Sequence, residues 1–67
     1  MKFGDRVLVL AYGGEELQRC VVEEGDGFVV VCREEEFLAA RQEGRKPRGV
    51  GFQKRYVLGS IPTETKY

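Results

Sequence analysis

The sequence lacks histidine and tryptophan and has only two cysteines. Without histidine, the chain misses the side chain that most often performs acid–base catalysis near neutral pH, and a cysteine nucleophile would lack its usual base. Two cysteines also fall short of the four ligands of a structural zinc site, so zinc would need a second copy of the chain. We therefore expect no enzyme activity, no cofactor and no bound metal.

Long apolar runs are also absent. None approaches the roughly 20 residues of a membrane helix, and Met1-Lys2-Phe3 leads directly into Gly4-Asp5-Arg6 without the apolar segment of a secretory signal. These absences predict a soluble, cytoplasmic protein in reducing surroundings. A chain this short buries only about 60% of its unfolded surface, which favours a single small core. We expect one domain over residues 1–62 and a frayed tail over residues 63–67.

The sequence does contain several short apolar runs separated by turn residues. The clearest pair, Leu17–Glu24 and Phe28–Arg33, flanks Gly25-Asp26-Gly27 and predicts a β-hairpin. Three further strands are predicted over Val7–Ala11, Gly49–Phe52 and Tyr56–Ile61. The chain is therefore expected to be mainly β.

One segment has the composition of a helix. Residues 34–43 begin with three glutamates, continue with good helix formers and are followed by Gly44. Acidic residues favour a helix N-terminus and a glycine favours the position just after its end. We predict a helix of about ten residues between the third and fourth strands.

The Gly4-Asp5-Arg6-Val7 opening, the central hairpin and the turn from Val50-Gly51-Phe52 to Val57 resemble the SH3-like small barrels, a group that includes Tudor-type domains. The resemblance covers roughly residues 3–61 and implies a five-stranded SH3-like small barrel with one short helix inserted between strands 3 and 4. Plasmid-type dihydrofolate reductases share such a barrel. Their Val-Gln-Ile-Tyr active-site strand corresponds here to Val50-Gly51-Phe52-Gln53, so this similarity implies a barrel and assembly rather than reductase activity.

Strand alternation predicts which side chains face the core. The interior set is Val7, Val9, Cys20, Val22, Phe28, Val30 and Cys32. The outward set is Leu8, Leu10, Val21, Val29 and Val31. Because the outward set is also apolar, either the helix covers it through Phe37, Leu38 and Ala40 or a second subunit does. The outward residues are therefore candidates for self-association, and a homo-oligomer is predicted.

The two cysteines belong to the predicted hairpin. A three-residue loop would place Cys20 opposite Cys32, Val22 opposite Val30 and Glu24 opposite Phe28. Two buried free thiols are one interpretation, because free cysteine packs as a small apolar residue. A redox pair is the other.

Charge is unevenly distributed along the chain. Residues 1–40 carry four basic side chains against nine acidic ones, whereas residues 41–67 carry seven basic side chains against two. The basic stretch over residues 41–55 is interleaved with Phe52 and followed by Tyr56, a mixture that single-stranded nucleic acid sites employ. Arg41 and Arg45 would equally complement the C-terminal end of the predicted helix.

Two functional hypotheses follow. The first is a non-enzymatic module that binds a protein or peptide partner, or itself, in a groove between Tyr12 and the Phe52–Tyr56 turn, where SH3-like domains commonly place aromatic residues. The alternative is a nucleic-acid-binding barrel that uses the basic segment. The candidate binding residues are Tyr12, Arg45, Lys46, Arg48, Phe52, Lys54, Arg55 and Tyr56.

Overall fold

The computed structural model of the chain describes residues 2–61 and contains five strands and one α-helix. The predicted tail, residues 63–67, lies outside the described residues. The strands are β1 (Arg6–Leu10), β2 (Glu16–Gly25), β3 (Phe28–Cys32), β4 (Val50–Gln53) and β5 (Val57–Ser60). Helix α1 spans Glu34–Glu43, and two 3₁₀ helices span Tyr12–Gly14 and Lys54–Tyr56. The predicted element types and their order are confirmed.

The five strands form one antiparallel sheet in the order β4-β3-β2-β1-β5. Within residues 2–61 this sheet is not closed, because β4 and β5 lie at its two edges and do not pair with each other. The mainly β fold with one helix is therefore confirmed, whereas the structure does not confirm a closed barrel.

The β2–β3 hairpin differs in register from the prediction. Cys20 pairs with Cys32 as expected, but the register shifts between Val21 and Glu23, so that Glu23 rather than Val22 lies opposite Val30. The predicted pairing of Glu24 with Phe28 is also wrong, because Phe28 pairs with Gly25. A β-bulge of this kind adds one residue to one strand and moves every later pair by one position.

The main apolar cluster lies on one face of the sheet. Its fully buried members are Val7, Val9, Val21, Val29 and Val31, and Leu17, Phe52 and Val57 pack against them. Val21, Val29 and Val31 were predicted to point outward, and that prediction is wrong. Alternation of side chains places them on the same face as Val7 and Val9, because Val7 pairs with Arg19 and Val9 with Leu17.

A second, smaller cluster lies on the opposite face. It contains Cys20, Val22 and Cys32, with Val30 and Phe37 packed against it. The predicted common interior is therefore divided between two faces. Phe28 was predicted to join that interior, but it is 40% exposed, because its ring lies against Gly25 near the hairpin turn.

Helix α1 covers the second cluster. Its Phe37 packs on the cysteines, its Ala40 is fully buried, and the Phe37 ring lies 5.0 Å from the ring of Phe3. Leu38, which was also expected to cover the sheet, is 49% exposed. The helix ends at Gly44, whose left-handed backbone lets its N–H reach the Arg41 carbonyl, while the Arg45 N–H donates to the Ala40 carbonyl. This pair of bonds is a Schellman motif and explains the predicted end of the helix.

Candidate functional site: an aromatic groove

Three aromatic side chains, one near the start of the chain and two from residues 52–56, line one groove of about 490 Å³. Tyr12 is fully exposed, Tyr56 is 39% exposed, and Phe52 is half-buried against the main core. The other lining residues are Leu10, Ala11, Gly13, Gly51 and Gln53. The structure thus brings together the three aromatic members of the predicted binding set.

The first 3₁₀ helix positions Tyr12. Gly13 and Gly14 both have positive φ values, 88° and 86°, which side chains other than glycine rarely adopt. The Gly14 N–H donates to the Ala11 carbonyl, and the Ala11 N–H donates to the Glu15 carbonyl at 2.7 Å. This tight loop between β1 and β2 leaves the Tyr12 ring exposed at the edge of the groove.

The second 3₁₀ helix positions Tyr56 on the other side. Its first residue, Lys54, donates its N–H to the Gly27 carbonyl at 3.0 Å, which ties the helix to the hairpin turn. The Arg55 guanidinium lies 5.3 Å from the centre of the Tyr56 ring and donates from Nε to Gln53 Oε1 at 2.8 Å. The lining of the groove therefore offers aromatic faces and the side-chain amide of Gln53, a combination suited to a peptide backbone and its apolar side chains.

Most of the predicted basic residues are instead engaged in ion pairs. Arg45 pairs with both Glu36 and Glu43 at 2.6 Å. Lys46 pairs with Glu23 at 2.9 Å, and Lys54 pairs with Glu24 at 2.8 Å. Three bases of the segment are thus paired with acids from the helix and the hairpin.

These contacts change the pKa values of the acids. The hydrogen bond from Arg45, with a second from the Arg48 backbone N–H, lowers the pKa of Glu36 to about 2. The hydrogen bond from Lys54 lowers the pKa of Glu24 to about 2 as well. The same contact with Glu36 raises the pKa of Arg45. Both carboxylates therefore stay charged, and their pairs intact, throughout the neutral range.

Arg48 and Arg55 form no ion pair within residues 2–61. Arg48 lines a second cavity of about 740 Å³, which also reaches Phe52. Its other lining residues are Leu17, Arg19, Val31, Cys32, Arg33, Glu35, Glu36, Ala39, Gly49 and Val50. The predicted binding residues are therefore distributed over an aromatic groove, a neighbouring mixed cavity and a set of ion pairs.

The predicted self-association residues do not form one exposed surface. Val21, Val29 and Val31 belong to the core, and Leu8 and Leu10 are half-buried. Leu10 instead lines the aromatic groove. Sequence reasoning missed Leu10 and Gly51 as groove residues, although both lie in strands next to predicted groove aromatics.

The two cysteines are free thiols and lie outside the aromatic groove. Burial raises the pKa of both, with Glu34 adding to the effect on Cys20 and Cys20 adding to the effect on Cys32. Among residues 2–61 no group of three or more cysteine, aspartate or glutamate side chains is arranged so that it could hold a metal ion. In the same part of the chain, no helix has the length and apolarity needed to cross a membrane.

Comparison of the chain with protein-family models, curated proteins and solved structures finds no match.

Proposed function

We propose that this chain is a non-enzymatic interaction module that binds an extended peptide segment of a protein partner in the aromatic groove. The observation that carries the proposal is the position of Tyr12, which is fully exposed and lines the same groove as Tyr56 and Phe52. A large ring gains no burial at such a position in the isolated chain. It gains burial when a ligand occupies the groove.

The local chemistry favours a peptide ligand. Aromatic-lined grooves accept extended, proline-rich segments because these are already ordered before they bind and present apolar rings at regular spacing. Tyrosine also supplies a hydroxyl to pair with backbone carbonyls, and it loses little side-chain entropy on binding. Arg55 lies over the Tyr56 ring and so places a positive charge next to one aromatic residue of the groove.

We further propose that the sheet belongs to the SH3-like small barrels. Two features support this proposal: β5 lies next to β1 in the sheet, and a short 3₁₀ helix joins β4 to β5. In that architecture the groove lies between the first loop and the turn before the last strand, which are the segments that carry Tyr12 and Tyr56 here.

The nucleic-acid alternative has less support. Arg45, Lys46 and Lys54 are already paired with glutamates, and a phosphate would have to compete with those carboxylates for each basic side chain. Self-association has one supporting observation, because Val50 on β4 and Leu58 on β5 are 65% and 47% exposed at the two edges of an open sheet.

The test is selection of a phage-displayed random peptide library, enriched in proline and aromatic positions, on the immobilised full chain. Enriched peptides are then titrated against the wild type, Tyr12→Ala and Tyr56→Ala. Leu38→Ala is the matched control, because Leu38 is an exposed apolar side chain on α1 and does not line the groove. We expect each tyrosine variant to lose affinity by about tenfold or more, as anchor residues do, and the control to bind normally.

Failure to enrich any sequence, or equal binding by the wild type and both tyrosine variants, would contradict the proposal. Labelled oligonucleotides at about 20 mM and about 200 mM salt test the alternative, since phosphate contacts lose orders of magnitude in affinity over that range. Sedimentation of the wild type tests self-association.

A further inference from the structure

The two cysteines form a directly facing pair that the peptide groove does not use. Cys20 on β2 and Cys32 on β3 are Cα partners in the antiparallel ladder, so their side chains lie on the same face of the sheet. They are 4% and 5% exposed, and both belong to the small cluster beneath helix α1. Both thiols are free.

The geometry of such a pair is close to that of a disulfide. Facing residues of an antiparallel ladder have Cα atoms about 4.5–5.5 Å apart, within the range of about 4.4–6.8 Å that disulfides span. Their Cβ atoms are typically about 4.5–5.5 Å apart, whereas a disulfide requires about 3.5–4.5 Å. Bond formation therefore needs a local contraction of up to about 1 Å. A disulfide formed under such strain is more easily reduced, which makes the bond reversible.

We propose that Cys20 and Cys32 are a redox-modification site that forms a reversible intramolecular disulfide by exchange with a low-molecular-weight disulfide such as glutathione disulfide. One cysteine thiolate attacks a sulfur of glutathione disulfide, whose S–S bond breaks and releases one glutathione thiolate. The second cysteine, after losing its proton, attacks the resulting mixed disulfide and releases the second glutathione. The two cysteines are oxidised, glutathione disulfide is reduced, and the two thiol protons end on the two glutathione molecules.

Helix α1 controls access to this site. Phe37 packs against the cysteine cluster, and its ring is held in turn by the ring of Phe3 at 5.0 Å. In the closed structure the thiols are shielded and poorly ionised, because burial raises the pKa of both. Exchange therefore proceeds from a state in which the helix has moved away from the sheet, and its rate reports how often that state forms.

The experiment uses the full chain, first reduced and then equilibrated in glutathione buffers of increasing oxidised fraction. Samples are quenched, unfolded in denaturant, alkylated and measured by intact mass, while circular dichroism before the quench verifies that the sheet is retained. We expect a monomeric species that has lost two hydrogen atoms and takes up no alkylating agent. Added reduced glutathione should return it to the dithiol form. Cys20→Ala and Cys32→Ala should each form only a single glutathione adduct.

Two helix variants test the access step. Phe37→Ala should speed exchange about tenfold, which corresponds to about 1.4 kcal/mol of lost packing. Leu38→Ala removes an exposed side chain from the same helix and should leave the rate unchanged.

Wild-type thiols that stay open to alkylation at every buffer ratio would overturn the proposal, as would disulfides formed only between chains or with glutathione. An unchanged rate in Phe37→Ala would overturn the role of the helix. The equilibrium measurement does not use Phe37→Ala, so it decides the main proposal even where that variant fails to fold. Peptide binding plays no part in either readout, so this inference stands or falls independently of the proposed function.

Discussion

Replacing Val29 by alanine tests which face of the sheet forms the main core. Val29 is fully buried on β3, whereas Val50, on the adjacent strand β4, is 65% exposed. The substitution removes two methyl groups, each worth about 0.8 kcal/mol when buried. A cavity of about 50 Å³ would add about 1.2 kcal/mol. We therefore expect Val29→Ala to lower the free energy of unfolding by about 2.5–3 kcal/mol.

The matched control is Val50→Ala, which makes the same chemical change on an exposed side chain. It should cost about 0.5 kcal/mol, as surface substitutions usually do. Because a chain of this size has a total stability of roughly 3–10 kcal/mol, Val29→Ala would remove a large part of it. The expected fall in melting temperature is about 10–20 °C.

Urea denaturation followed by circular dichroism measures the free energy of unfolding of both variants. Equal dependence of that free energy on urea concentration in wild type and variants verifies that the same transition is compared. If Val29→Ala cost no more than Val50→Ala, the assignment of Val29 to the core would be refuted. The outward orientation predicted from strand alternation would then be the correct one.

Two further predictions concern helix α1 and the segment that joins it to β4. Gly44 has φ 68° at the helix end, so Gly44→Ala should lower the free energy of unfolding, measured by urea denaturation, by about 1 kcal/mol. The control is Gly51→Ala, at an exposed site with open space for a Cβ. The NMR chemical shift of the Glu36 carboxyl carbon should change with pH around a midpoint near 2, which is the pKa of this group. In Arg45→Gln the midpoint should rise toward 4.5. Because the folded pKa lies below the unfolded one, this group stabilises the fold above about pH 4.5 and loses that effect as the pH falls toward 2. A Glu36 midpoint that is the same in wild type and Arg45→Gln would show that Arg45 does not cause the shift.

The elements were predictable because each has a local signal. Asp26-Gly27 marks the hairpin turn, and three glutamates with a following Gly44 mark both ends of α1. Such signals depend on backbone preferences of a few neighbouring residues and need no knowledge of the rest of the fold.

Which side chains lie on which face of the sheet was not predictable, because this depends on the register of strand pairing. The Ala11–Glu15 hydrogen bond fixes how β1 and β2 pair, and it places Val7 opposite Arg19 rather than opposite a residue of the cysteine face. A shift of one residue moves every side chain to the other face, so alternation alone leaves two solutions. The bulge at Val22 also shifts the pairing of β2 with β3 by one residue, and no turn residue in the sequence indicates it.

The candidate site was predictable in part for the same reason. Tyr12 follows β1 and Tyr56 precedes β5, and the two strands are paired. The resemblance to SH3-like barrels predicts that these segments lie close together. The ion pairs of Lys46 and Lys54 join residues that are 23 and 30 positions away in sequence, and only the tertiary fold shows which acids they meet.

The opposite charges of the two halves of the chain serve a structural purpose within the fold. Lys46 and Lys54, on either side of β4, pair with Glu23 and Glu24 near the end of β2. Arg45, in the segment between α1 and β4, pairs with Glu36 of the helix. Each exposed pair contributes little alone, but together they join an edge strand to both the hairpin and the helix. A phosphate backbone that bound Arg45, Lys46 or Lys54 would have to replace these contacts. The aromatic groove requires no such exchange, because the exposed face of Tyr12 contacts only solvent until a ligand arrives. For this reason the groove, rather than the basic segment, is where we expect a partner to bind.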